Sequence, residues 1–177
     1  MKAFGLAAVA VLIASAGASA APLKVVAFDI EPVELPKTPA MKQRLATEGV
    51  LLRKLLTDRG LTIVDPAPQA KKIAENLPLS QCNGCDQDIA QALGAEIEVA
   101  TALQQLTSST YNLSGSVKDV ATNRVLRSGV VSITGDSADE WNHGIKFLVK
   151  ERLFTPPLPS DQAQLRALIA KAPKPAD

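Results

Sequence analysis

Ile97-Glu98-Val99-Ala100-Thr101-Ala102-Leu103-Gln104 is followed, after a polar turn, by Tyr111-Asn112-Leu113-Ser114-Gly115-Ser116-Val117-Lys118 and then by a third run, Arg124 to Ile133. Ile97, Val99 and Leu103 alternate with Glu96, Glu98 and Gln104; Tyr111, Leu113, Gly115 and Val117 alternate with Asn112, Ser114, Ser116 and Lys118. A period of two is the side-chain repeat of a strand. The polar links at 107–110 and 119–123 are short enough only for hairpin connections. These residues predict an antiparallel meander with one face on a core and one face wet.

Upstream the pattern changes. Leu23-Lys24-Val25-Val26-Ala27-Phe28 is nearly continuous in apolar residues, as in a strand buried on both faces. It runs into Asp29-Ile30-Glu31-Pro32, and prolines at 32, 36 and 39 predict an extended, irregular loop. Met41, Leu45, Leu52, Leu55 and Leu56 recur at helical spacing up to Gly60, a C-terminal cap, before a second short strand at Leu61-Thr62-Ile63-Val64. Strand, helix and strand in so few residues predict a right-handed parallel crossover.

A short helix over 69–77 stops at Pro78, and another over 86–93 is capped by Gly94. After the meander a last core helix spans Ser137 to Leu153, with Trp141, Ile145, Leu148 and Val149 as its buried stripe and Asp136 or Ser137 as its cap. The order β-α-β-α-α-β-β-β-α describes a two-layer α/β fold with a mixed sheet, a C-terminal antiparallel meander and a packed last helix.

The first twenty residues have a basic start at Lys2, an apolar stretch from Ala3 to Ala18, and Ala18-Ser19-Ala20, which fits the small-x-small rule for cleavage after Ala20. Residues 1–20 are therefore expected to be a signal peptide and 21–154 a single α/β domain. Residues 155–177 are expected to be a proline-rich linker, a short helix carrying Leu165, Leu168 and Ile169, and a disordered tail from Lys171. No cysteine stands at the cut to take a lipid anchor, and no later segment approaches the roughly 20 apolar residues of a membrane span. The expected compartment is a bacterial periplasm. A net charge of +1 over the 177 residues gives no electrostatic reason to bind nucleic acid or an anionic membrane.

The two cysteines of the chain sit in Cys82-Asn83-Gly84-Cys85, ahead of Asp86 and Asp88. In an oxidising compartment so close a pair is expected to be a disulfide. Closing four residues stabilises a fold by only about 2 kcal/mol on the loop-entropy expression, so structural, redox-active and metal-binding readings all remain open. Asp86 and Asp88 would raise a neighbouring thiol pKa and blunt a nucleophile. A closed zinc site wants four ligands. Beyond the cysteines the chain offers a single histidine, His143, about 200° around its helix from Trp141 and expected in solvent near Asp139. No metal or cofactor is expected, and with no base beside its serines and no glycine-rich phosphate loop the chain does not read as an enzyme.

The run Cys82 to Glu96, C-N-G-C-D-Q-D-I-A-Q-A-L-G-A-E, resembles the signature of a family of small exported bacterial proteins of unknown function, C-N-G-C-E-x-D-I-A-x-x-L-G-A. The likeness extends to Val26-Ala27-Phe28-Asp29, Lys118 to Thr122, Arg127-Ser128-Gly129, Ile133 to Asp136, Glu140-Trp141 and Val149 to Leu153. Where that family has a Gly-Trp pair and a basic residue after the strand at 97–99, this chain reads Ala100-Thr101-Ala102-Leu103-Gln104. The start of the fold also resembles the N-terminal domain of TolB and the curli-secretion lipoproteins. That likeness implies an interaction module of the cell envelope.

Asp29 and Glu31 follow the first strand at its carboxyl end, where open α/β sheets bind ligands, and two carboxylates there suit a cation or a basic peptide. Together with Asn83, Asp86 and Asp88 they form the candidate binding surface. The expected function is a non-enzymatic binding or scaffold module whose partner is a periplasmic or envelope protein, its oligomeric state open. The alternative is a thiol-disulfide or metal-handling accessory of a periplasmic oxidoreductase system. The resemblance alone points to a quinoprotein dehydrogenase as that system.

Overall fold

The computed structural model describes residues 22–159 and 162–174; the expected signal peptide and the last three tail residues lie outside them. In chain order the elements are β1 (Lys24–Ala27), β2 (Glu31–Val33), α1 (Pro39–Thr57), β3 (Thr62–Val64), α2 (Ala70–Glu75), α3 (Cys85–Ala92), β4 (Ile97–Gln105), β5 (Thr110–Asp119), β6 (Arg124–Thr134), α4 (Ala138–Phe147) and α5 (Gln162–Lys171). The sheet is ordered β3-β1-β4-β5-β6, parallel from β3 to β4 and antiparallel from there to β6. It is the mixed two-layer α/β architecture read from the sequence.

The ends of the elements follow local chemistry. Thr38 opens α1, its hydroxyl accepting from the Met41 amide at 3.1 Å, with Pro39 in the first turn, where its missing N–H costs nothing. Ser137 and Glu140 close a reciprocal capping box at the start of α4. That helix continues over Leu148–Leu153 as a π-helix, and Leu148, Val149 and Leu153 stay on the buried side. Beneath it two glycines permit close approach. A Cβ on Gly129 would come within 2.5 Å of the Arg152 Cβ, and one on Gly115 within 3.0 Å of the Leu148 and Leu153 side chains.

The sheet has two differently covered faces. On one, α1, α4, the π-helix and α5 enclose the main core, which includes Val25, Leu52, Ile97, Leu113, Trp141 and Leu165. On the other, α2 and α3 cover the parallel end alone, with Val26, Phe28, Leu79, Ile89, Ala90, Ala95 and Val120 buried together. The helix carrying Leu165 docks on its own domain, and Arg124 reaches the Ile169 and Ala170 carbonyls at the end of α5 at 2.8 and 3.0 Å. No helix among the described residues is long and apolar enough to cross a membrane.

Two expectations are corrected. The stretch after β1 is not all loop: Glu31–Val33 is a short parallel strand beside the second half of β4, registered from Glu31 on Ala102 to Val33 on Gln104. Pro32 is tolerated because β2 pairs on one side only. The meander's polar face is not wet throughout. Glu98 is only 1% exposed, because α3 lies over the half of β4 that pairs with β1.

Candidate functional site

β1 ends at Ala27, and the chain leaves the sheet at Asp29 beneath α1. Arg53 of α1 fixes this exit, donating to Asp29 Oδ1 at 2.8 Å and to the Ala27 carbonyl at 3.4 Å. Two residues on, the buried Glu31 carboxylate accepts from the backbone amides of Leu79 and Ser80, the latter at 3.2 Å. This carboxylate therefore ties the segment ahead of the cysteines to the sheet edge. A carboxylate accepting two amides is a charge-assisted tie.

Cys82 and Cys85 are joined as a disulfide, and both side chains pack against the smaller core of Val26, Phe28, Leu79 and Ile89. Asn83 at the tip has φ 56° and is exposed; Gly84 follows at φ 103° with nothing within 4 Å of where a Cβ would stand. These two left-handed residues turn the chain into α3. Asp88 points to solvent from the first turn of α3. Asp86, in that same turn, does not: it is buried and paired with Lys118 of β5.

Lys118 also reaches Glu98 Oε1 at 3.2 Å, so one ammonium holds two buried carboxylates. Burial pushes the Glu98 carboxyl up to about 7; the Lys118 charge opposes the rise and the Asp86 charge adds to it. Burial works in the same direction on Asp86, but the hydrogen bond and charge of Lys118 outweigh it and hold that carboxyl below its usual range. Lys118 is raised: its burial is outweighed by the charge of Glu98 and the hydrogen bond to Asp86.

These elements leave a cleft of about 200 Å³ whose lining includes Phe28, Asp29, Glu31, Ser80, Asp86 and Lys118. Asp29 also borders two crevices beside it, one of about 120 Å³ against Leu77 and Leu79 and one of about 580 Å³ running past Arg53, Asp65 and Ile73. Of the residues singled out in the sequence, Asp29, Glu31 and Asp86 meet at the cleft, while Asn83 is exposed in the disulfide loop and Asp88 on the first turn of α3. Lys118, Arg53, Ser80 and Glu98 belong to the same neighbourhood and were not foreseen. Glu98 and Lys118 sit in polar positions of an alternating pattern, which carries no mark of burial. His143 is exposed on α4, with its Nδ1 2.9 Å from the Asp139 carbonyl oxygen rather than the carboxylate. Among the described residues no three His, Cys, Asp or Glu side chains are grouped to hold a metal ion.

The carboxylates at the cleft each have a donor, so the arrangement suits recognition of a group that adds to an existing network. The lining brings three acids together, with Lys118 paired to Asp86 and Arg53 of α1 paired to Asp29.

No curated protein matches this chain. Among solved structures it is similar to the C-terminal domain of LpoB from Escherichia coli, at 19% identity and a TM-score of 0.48 over 67% of this chain and 87% of that one. It is similar to a PelC dodecamer subunit from Paraburkholderia phytofirmans, at 12% identity and a TM-score of 0.48 over 74% and 87%. It is also similar to TolB from Acinetobacter baumannii, at 13% identity and a TM-score of 0.42, over 73% of this chain and 27% of that one. The family model described as "Protein of unknown function (DUF2380)", DUF3280, matches residues 19–153, and the chain belongs to that family.

Proposed function

We propose that this protein is an exported, non-enzymatic binding module of the cell envelope, working in the periplasm after cleavage behind Ala20. Its contact surface is the cleft at the carboxyl edge of β1 together with the disulfide loop, and it receives a basic side chain of a partner protein. The observation that carries this reading is the convergence of Asp29 and Glu31, from the exit of β1, with Asp86 of α3 on one small acidic cleft. The basic start, apolar stretch and small-x-small pattern of residues 1–20, read as an export signal, support the compartment. A disulfide packed into the smaller core supports a staple that holds the loop in place.

Site-specific photocrosslinking in the exporting cell tests it. A photoreactive residue in place of Asn83 is expected to trap one discrete protein, and the product is expected to disappear when Asp29→Lys is added. The same residue in place of Val50, exposed on α1, serves as the reference. Identical products from both positions, or a product at Asn83 untouched by Asp29→Lys, would sink the proposal.

A further inference from the structure

The sheet ends on one side at β6, eleven residues long, which pairs only with β5 among the described residues. Its first turn of ladder is already engaged. Leu126 is the extra residue of a bulge opposite Val117 and Lys118, and its carbonyl accepts from Arg127 Nη1 at 2.8 Å. From Arg127 to Thr134 the pairing with β5 is regular, and the outer backbone groups have no strand beside them. Edge strands in water are normally shortened, bulged or armed with lysine or proline. Ser128-Gly129-Val130-Val131-Ser132-Ile133 carries none of these devices.

Apolar surface and charge are arranged along the same edge. Val130 is 54% exposed and Phe147, on the adjoining helix, 46%. A groove of about 730 Å³ runs between β6 and α4, with Val131, Ile133, Gly144 and Phe147 in its lining and Glu140 and Arg152 beside them. The Arg152 stem lies against Gly129, near Arg127, whereas the Glu140 carboxylate lies against Gly135. One end of the edge is thus basic and the other acidic. An antiparallel copy of the same edge reverses that order and sets each basic end against an acidic one.

We propose that β6 pairs with β6 of a second copy of this chain, giving a two-fold dimer with one continuous sheet. Opposed residues in an antiparallel ladder share a face, so a two-fold register sets one residue against itself. With Val131 at that centre, Gly129 meets Ile133 of the second copy. Arg127 meets Gly135 of the second copy, where its Glu140 lies. The apolar groove closes on Phe147 from both sides. A foreign strand would have to supply this charge pattern, which the chain already supplies to itself.

Sedimentation equilibrium of the exported chain over a wide concentration range tests the pairing. A dimer is expected, weakened about tenfold or more by Val130→Lys, which arms the edge, and by Arg152→Glu, which sets acid against acid. Circular dichroism is expected to match the parent in both. Adding Arg127→Glu and Glu140→Arg to Arg152→Glu, which reverses the charge at both ends of the edge, is expected to restore association, although it removes part of the α4 cap. A chain that stays monomeric throughout overturns the proposal. So does a dimer that both single variants leave unchanged, since it then assembles through another face.

Discussion

The two faces of this sheet solve burial in opposite ways. On the main face four helical segments enclose a large apolar cluster, from Leu23 to Leu165, with a single carboxylate, Glu48 of α1, among the residues α1 buries. The opposite face has seven buried apolar residues, two short helices, a disulfide and three charged groups that share one small volume. Apolar area on the first face is stabilising by itself, at about 25 cal/mol per Å². On the second, stability depends on charges cancelling in a place water hardly reaches, which is costly unless each one is paired. The candidate cleft opens on this second face.

Removing one member from each face sharpens the contrast. Lys118→Met leaves Asp86 and Glu98 buried without their cation and is expected to destabilise the fold by about 3–5 kcal/mol near neutral pH. The loss should shrink in acid as the two carboxyls take up protons. Leu52→Ala, in the main core, is expected to lose about 2–5 kcal/mol with no such dependence on pH. Urea unfolding at two pH values measures both; equal pH behaviour of the two variants would dissolve the distinction.

Glu98 tests the charged face further. Unfolded, it titrates near 4.5; folded, near 7. Between those values the native state binds the extra proton, so stability is whole below about 4.5, falls as pH rises, and has lost this contribution above about 7. The fall amounts to roughly 3 kcal/mol. Asp86, held below its usual range, acts in the opposite sense, but in the more acid window beneath 3.8, so the two effects separate. Glu98→Gln is expected to remove the larger part of the slope between pH 4.5 and 7 in chemical denaturation, Glu48, also raised by burial, keeping the remainder. An undiminished slope in that variant would assign it to other groups.

The smallest expected effect is at the disulfide. Cys82→Ser/Cys85→Ser is expected to lower stability by only about 2 kcal/mol, because the closed loop is short. Since the pair packs into the smaller core, its reduction potential is expected below about −300 mV, the range of structural bridges. Thiol trapping across a redox buffer series reads it. A value near −200 to −120 mV would make the pair a reagent and bring the thiol-disulfide accessory to the front.

Much of the main face was legible in the residues. Tyr111, Leu113, Gly115 and Val117 are buried as their alternation requires, with half-exposed Asn112, Ser114, Ser116 and Lys118 between them. The Trp141, Ile145, Leu148 and Val149 stripe lies in the core, and Ser137 caps its helix. The strand at Glu31–Val33 was hidden because its pairing to β4 is remote in sequence and its proline argues locally for a loop. The roles of Glu31 and Asp86 were hidden for a similar reason: each is buried by a segment tens of residues away.

Neighbouring residues settled among themselves the period-two strands, the helix caps and the closeness of the two cysteines, and these were legible in the sequence. Periodicity and capping are short-range, set by sterics and hydrogen bonds within a few residues. Packing between distant segments set α3 over half of one sheet face and left β6 uncovered on that face. That choice turns Glu98 and Lys118 from a wet-face pattern into a buried ion cluster, because burial depends on what packs across from a residue, and no local pattern records it.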